Sequence, residues 1–287
     1  MTNDFALPIV RTAAALRAHL RVWRENGETV ALAPTMGALH EGHLSLVNLA
    51  RRQADRVVVS VFVNPRQFGP SEDFGAYPRD EAGDAGLLAE ARCDLMYAPS
   101  PEEMYPPGFA TRVSVDNIST VLCGAARPGH FDGVATVVTK LLAQASPDVA
   151  IFGEKDYQQL MVIRRAVRDL DLTTQILAAP TARAPDGLAL SSRNRYLTEA
   201  ERAAAPALYA ALTEAAAALR SGVAVEAVEA RGREALAAAG FGRIDYLEAR
   251  GADDLSRKGP GAVQGASRVF AAAWLGKARL IDNVAVD

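Results

Sequence analysis

Apolar residues recur along this chain with two different periods, and the periods take turns. Leu16, Leu20 and Trp23 fall on one stripe and predict an amphipathic helix over residues 11–26. The apolar run 29–32 reads as a strand. After a glycine-bearing turn, Leu44, Leu46, Val47 and Ala50 recur at helical spacing and predict a helix to about Ala54. Residues 57–63, Val-Val-Val-Ser-Val-Phe-Val, form a continuous β-branched run suited to a strand covered on both faces. Strand, helix and strand in succession make a βαβ unit, which implies a parallel sheet.

The alternation continues. A helix is expected through Leu87, Leu88 and Ala91, a short strand over residues 95–98, and an extended piece over 112–115. A helix over 134–143, a strand over 149–152, a helix over 157–170 and a strand over 176–179 follow. This pattern predicts an α/β fold with a Rossmann-like parallel-sheet domain over residues 1–181. Beyond it, Thr198-Glu199-Ala200-Glu201 reads as a capping box one register short, opening an alanine-rich helix to Arg220. A helix over 225–239 and strands over 244–248, 268–275 and 278–282 complete a smaller α+β C-terminal domain, 182–287, with two helices on a small antiparallel sheet. That domain is expected to close over its ligand as a lid.

Composition narrows the class. With 287 residues, 49% hydrophobic and 23% charged, the chain has the make-up of an ordinary globular protein. A net charge of −3 offers no general attraction to nucleic acid. No apolar run approaches the ~18 residues of a membrane span. Cys93 and Cys123 stand far apart, match no metal or redox spacing, and read as reduced thiols of a cytoplasmic protein. Asp4, Arg11 and Arg17 at the N-terminus have no apolar signal-peptide core between them, so no signal peptide is expected.

In open α/β sheets ligands bind beyond the carboxyl ends of the strands, and the chemistry-bearing residues concentrate there. Pro34-Thr35-Met36-Gly37-Ala38-Leu39-His40-Glu41-Gly42-His43 follows the first buried strand and opens a helix. Its two histidines sit one turn apart on one face, beside a helix N-terminus whose free N–H groups suit an anion. The alternative is a pair of histidines that merely cap the helix. His-x-Gly-His in this setting resembles the signature of the adenylyl-transferring superfamily that includes class I tRNA synthetases and small nucleotidyltransferases. After the second buried strand stand Asn64-Pro65-Arg66-Gln67-Phe68, whose amides either reach a ligand or serve the turn. Arg127-Pro128-Gly129-His130-Phe131 is another glycine-bearing turn. Gly153-Glu154-Lys155-Asp156 pairs a lysine suited to phosphate with an aspartate suited to ribose, and Gln159 follows in the next helix. Leu190-Ser191-Ser192-Arg193-Asn194 supplies two hydroxyls and a guanidinium, a phosphate-binding set.

Together these five motifs, in this order between about residues 28 and 200, resemble the pantothenate synthetase family. The resemblance implies ATP-dependent condensation of pantoate with β-alanine through a pantoyl adenylate, with release of AMP and pyrophosphate. It also implies a need for Mg²⁺ and a homodimer; no residue here is assigned to the metal. By the resemblance, His40 and His43 face the triphosphate and His43 is the proton donor. Lys155, Ser191, Ser192 and Arg193 hold phosphate oxygens. The stretch Met36, Gly37, Ala38, Leu39, His40, Glu41, Gly42, His43, together with Gly153, Glu154, Asp156, Ala182 and Leu190, surrounds the nucleotide. Gln67 and Gln159, with Asn64, bind pantoate. Ala182 is smaller than the family's usual residue, and Leu190 stands where methionine is common. A nucleotidyltransferase adenylylating a phosphorylated acceptor is the alternative, but it would want a basic acceptor pocket where this chain has neutral amides. A tRNA synthetase fragment would want a basic anticodon-binding domain. A non-catalytic nucleotide sensor would not need the histidines and the glutamine pair together.

Overall fold

The structure, a computed structural model, describes residues 7–70 and 72–286; Asp4 falls outside them. Six parallel strands form the first sheet: β1 (Ile9–Val10), β2 (Val30–Thr35), β3 (Arg56–Val61), β4 (Leu95–Tyr97), β5 (Val149–Gly153) and β6 (Gln175–Ala179). Between them run α1 (Ala13–Glu25), α2 (Glu41–Ala50), α3 (Glu81–Glu90), the single-turn α4 (Pro101–Met104) and α5 (Cys123–Ala126), α6 (His130–Ala145) and α7 (Tyr157–Asp169). The strand order is β1-β4-β3-β2-β5-β6. From β2 the chain builds outward through β3 and β4, then returns to β2's other side with β5. The order therefore reverses between β2 and β5, and the crevice at such a switch point is where this class of sheet binds ligands.

The rest of the chain folds into α8 (Glu199–Ala204), α9 (Ala207–Arg220), α10 (Val225–Ala238) and an antiparallel sheet of β7 (Ile244–Gly251), β8 (Ser267–Leu275) and β9 (Ala278–Val286) in that order. Strand alternation gives the small sheet two different faces. Val269, Ala271 and Ala273 pack with Leu208 and Leu212 of α9, whereas Phe270 and Ala272 join the core of the parallel sheet's helices. The Phe270 ring lies 5.9 Å from that of Tyr157 on α7. The smaller sheet thus sits between its own helices and the larger part.

Several elements depart from the sequence pattern. Residues 112–115 form no strand; the Val113 N–H donates to Thr136 Oγ1 at 2.9 Å, so a side chain replaces a sheet partner. The edge strand β1, only two residues long, carries no periodic signal. α2 ends at Ala50 rather than Ala54, and α6 begins at His130 rather than Val134, which puts that histidine in the helix's first turn. The alanine-rich helix divides at Pro206, which has no N–H to continue the ladder. The capping box is in standard register: Thr198 Oγ1 accepts from the Glu201 N–H, and Glu201 accepts from the Thr198 N–H. Cys93 and Cys123 are buried free thiols.

Candidate active site

A cleft of about 620 Å³ opens at the switch point. It is lined from β2–α2 by Met36, His40, Gly42 and His43, and from the turn after β3 by Asn64 and Gln67. The turn after β5 and the start of α7 add Gly153, Lys155, Asp156 and Gln159, and the segment after β6 adds Ala182 and Leu190–Arg193. Gly37, Ala38, Leu39, Glu41 and Glu154 do not line it. The Ala38 and Leu39 N–H groups, expected to face a nucleotide, instead donate to the Asp84 carboxylate at 2.9 and 2.7 Å. Burial raises the Asp84 pKa while those two donors oppose the rise. Asp84 lies on α3, 45 residues beyond Leu39 in the chain, and no local pattern marks it as the anchor of this turn.

His40 is the N-cap of α2. Its Nδ1 accepts from the Gly42 N–H at 3.1 Å, which leaves Nε2 as the protonated nitrogen of the neutral ring. A Cβ on Gly42 would stand 2.9 Å from His40 Cε1, so only glycine lets the ring fold back in this way. The His40 and His43 rings lie 4.1 Å apart. Burial first, then the charges of Lys155 and Arg195, lowers the His40 pKa from 6.5 to about 4. Burial and the neighbouring His40 lower that of His43 to about 3. Both rings are neutral at pH 7, and His43 Nδ1 is buried without a hydrogen-bond partner. Lys155 Nζ stands 3.8 Å from Asp156. Arg193 is held by Asp73 at 3.0 and 3.2 Å, and Ser192 Oγ lies 3.2 Å from Tyr77 Oη. Asp73 and Tyr77 belong to the 69–77 loop, which reads in sequence as a plain connection.

The opposite end of the cleft is neutral and tightly bonded. Asn64 Nδ2 donates to Gln67 Oε1 (3.0 Å) and to the Gly133 carbonyl (3.1 Å). Asn64 Oδ1 accepts from Tyr105 Oη (2.7 Å) and from the Arg66 N–H (3.2 Å). Both amide protons and both lone pairs of Asn64 are thereby used. Asn64, expected to bind substrate, does line the cleft, and its amide is fully used within the protein, in part on Gln67. Gln67 donates one proton to Met36 Sδ at 3.1 Å, leaving one N–H and one lone pair free. Its backbone carbonyl accepts from His130 Nδ1 at 2.8 Å and from Arg127 at 3.3 Å, and Glu72 holds Arg127 at 2.6 Å. Burial, then Arg127, lowers the His130 pKa to about 4. α6 can come this close only because residue 133 is glycine: a Cβ there would stand 2.2 Å from the Arg66 carbonyl. The neighbours Gln158 and Gln159 part company. Gln158 pins the 118–123 segment through Ile118, Val121 and Cys123, whereas Gln159 lines the cleft.

A parallel α/β sheet with two histidines at the start of one helix, a lysine and a serine pair around one switch-point cleft defines a nucleotide-using enzyme of the α/β class. A family profile described as pantoate-beta-alanine ligase matches residues 8–285. The chain is similar to pantothenate synthetase of Caulobacter vibrioides, at 61% identity over 97% of this chain and 98% of that protein. It is also similar to that of Rhodospirillum rubrum, at 55% over 98% and 99%. The crystal structure of pantothenate synthetase from Thermus thermophilus matches with a TM-score of 0.91 at 49% identity, covering 98% of this chain and 99% of that one. A pantoate-beta-alanine ligase from Francisella tularensis, solved with beta-gamma ATP and beta-alanine, matches with a TM-score of 0.80 at 34% identity, covering 98% of each chain. The chain belongs to the pantoate–β-alanine ligase family, and it is an ATP-dependent ligase that condenses pantoate with β-alanine.

Proposed function

We propose that the switch-point cleft is where this condensation occurs, with the nucleotide at the histidine–lysine–serine end and pantoate at the amide end. The observation that carries this is that His40, His43, Lys155, Gln67 and Gln159 line one continuous cleft. A pantoate carboxylate oxygen attacks the α-phosphorus. The bond from that phosphorus to the bridging oxygen breaks, and pyrophosphate leaves with the electron pair. Lys155, Ser191, Ser192 and the His40 Nε2–H sit where phosphate oxygens gain charge, so they stabilise that step by fixed position. An arriving triphosphate raises the pKa of His43, and this equips a ring that is neutral in the free protein to donate a proton. Arg193 exchanges Asp73 for phosphate. The β-alanine amine then attacks the pantoyl carbonyl carbon, the bond from that carbon to the AMP phosphate oxygen breaks with its electron pair leaving on AMP, and the amine proton passes to the departing phosphate or to water. Gln67 and Gln159 grip pantoate, because an amide both donates to a carboxylate and accepts from a hydroxyl.

Mg²⁺ fits this site as a companion of the triphosphate. Among the described residues no cluster of three or more His, Cys, Asp or Glu could hold a metal. Asp84 is engaged with two backbone N–H groups. Mg²⁺ commonly rides on substrate phosphates with few protein ligands, where it neutralises their charge. We read residues 1–181 as the catalytic unit and 182–287 as the unit that covers it, and the protein as a cytoplasmic homodimer. Among the described residues no helix is long and apolar enough to cross a membrane. The dimer is checked by sedimentation velocity.

The test of the chemistry is the first half-reaction. With pantoate and Mg²⁺ present and β-alanine absent, the protein should exchange labelled pyrophosphate into ATP. An acyl phosphate route would release ADP without that exchange. A transferase for a phosphorylated acceptor would exchange only with that acceptor.

A further inference from the structure

The last strand reaches into the nucleotide end from behind. Consecutive residues of β9, Asp282 and Asn283, are 4% and 3% exposed and point to opposite faces, as strand geometry requires. Asp282 holds Arg183 through two bonds of 2.5 and 2.9 Å, and Arg183 lies 3.8 Å over the Tyr209 ring and donates to the Gly187 carbonyl. This ties down the segment that leads into Ser191 and Ser192. Asn283 Nδ2 donates to the carbonyls of both Glu154 (2.9 Å) and Lys155 (3.1 Å), in the turn that carries the lysine. Arg268 Nε donates to Asn283 Oδ1 at 2.8 Å, and its guanidinium lies 4.2 Å from the centre of the Tyr157 ring. The arginine can only donate and the two carbonyls can only accept, so the amide has one satisfied orientation.

We infer that Asn283 is a positioning residue for the phosphate lysine: by gripping the Glu154 and Lys155 carbonyls it sets where the Lys155 ammonium stands in the cleft. The turn at 154–156 is a single 3₁₀ turn without a side-chain cap of its own, so its backbone relies on a partner from outside. That partner lies 128 residues further along the chain from Lys155. The small antiparallel sheet therefore does more than cover the site; its last strand sets the geometry of the parallel sheet's phosphate end. The inference rests on the reading of Lys155 as a phosphate-binding residue.

Pantoate-dependent pyrophosphate exchange in the full-length protein tests it, using Asn283→Ala, Lys155→Ala and the double variant. Asn283→Asp keeps the volume but removes both donors, and it serves if the alanine variant fails to fold. Each Asn283 variant should lose about 10²-fold in exchange, the cost of displacing a catalytic group by about 1 Å, with the pantoate KM unchanged. In the Lys155→Ala background the same substitution should cost almost nothing more, because residues acting through one another are non-additive. Full exchange in folded Asn283 variants would overturn the inference, as would an undiminished loss in the Lys155→Ala background, the mark of a general structural role. If Lys155→Ala alone kept full exchange, the phosphate role of Lys155 would fall first and the positioning role with it. Impairment of Lys155→Ala beside intact Asn283 variants would remove the positioning role alone.

Discussion

The two ends of the cleft are built on opposite plans. At the amide end, Tyr105, Asn64, Gln67 and Met36 form a neutral chain of hydrogen bonds, and His130 and Arg127 hold the Gln67 backbone. Almost every donor and acceptor is already spent, so what remains on Gln67 is one fixed donor–acceptor pair facing the cleft. At the histidine end the side chains are charged or chargeable and loosely engaged. His43 Nδ1 has no partner, Lys155 has one carboxylate at 3.8 Å, and Arg193 is lent to Asp73. A site of neutral amides recognises its ligand by the donors and acceptors it leaves open, because an unpaired buried amide costs more than a hydrogen bond gains. Groups this loosely engaged can instead stay neutral or be paired with exchangeable partners until a charged ligand supplies its own charge.

The sharpest break between the ends should come from His43→Ala. Removing one group that acts on the transition state should lower kcat by on the order of 10²–10³, while pantoate binding stays unchanged. Steady-state kinetics with calorimetric pantoate titration would check this, and near-normal turnover in folded protein would remove His43 from the chemistry. Gln67→Ala should do the converse. It should weaken pantoate by about 1.5–3 kcal/mol, the worth of hydrogen bonds to a charged group, and leave ATP affinity alone. A loss confined to ATP would reassign Gln67 to the nucleotide.

Acid should strain both ends through their histidines. His40, His43 and His130 have folded pKa values of about 4, 3 and 4, below the ordinary 6.5. Between these values and 6.5 the unfolded chain binds more protons than the folded one, so stability is fully present above about pH 6.5 and is lost as pH falls. For the deeply buried His43 and His130 the loss at pH 5 is on the order of 1–2 kcal/mol each. The melting temperature should fall by on the order of 5 °C between pH 7 and pH 5, and ATP, by favouring charged rings, should reduce that fall. A flat profile would show that the rings are not neutral in the free protein. The smallest effect expected is from Tyr105→Phe, which deletes only the 2.7 Å donor to Asn64. It should raise the pantoate Kd by about 0.5–1.5 kcal/mol without touching ATP. Were pantoate affinity unmoved, the Tyr105–Asn64–Gln67 chain would not set the orientation of Gln67.

Much of this was legible beforehand, for a local reason. Buried strands announce themselves as β-branched runs, helices by their 3.6 period, and the residues between them fall at the strand ends where ligands bind. His40, His43, Lys155, Gln67, Gln159 and the Ser191–Arg193 set stand at those ends, where the resemblance to a known family singled them out from turn and cap residues, and all of them line one cleft. Less was legible where a residue's job depends on what it faces. Asn64 and Gln67 are two amides three residues apart, and only the bonds to Tyr105 and Gly133 show that one orients the other. Gln158 and Gln159 look alike in the chain, yet adjacent helical positions point 100° apart, so one faces inward to the 118–123 segment and the other the cleft.

By itself, then, the sequence determined the alternation of strand and helix, the parallel sheet that follows from it, and the chemistry gathered at the strand ends. These are properties of neighbours along the chain, where periodicity and turn residues act within a few positions. The tertiary structure alone decided that Asp84 would take the N–H groups of Ala38 and Leu39, that His40 and His43 would be buried deeply enough to stay neutral, and that Asn283 would grip the turn of Lys155. Those depend on contacts spanning tens to more than a hundred residues, and on desolvation, which belongs to the folded surface and not to any stretch of chain.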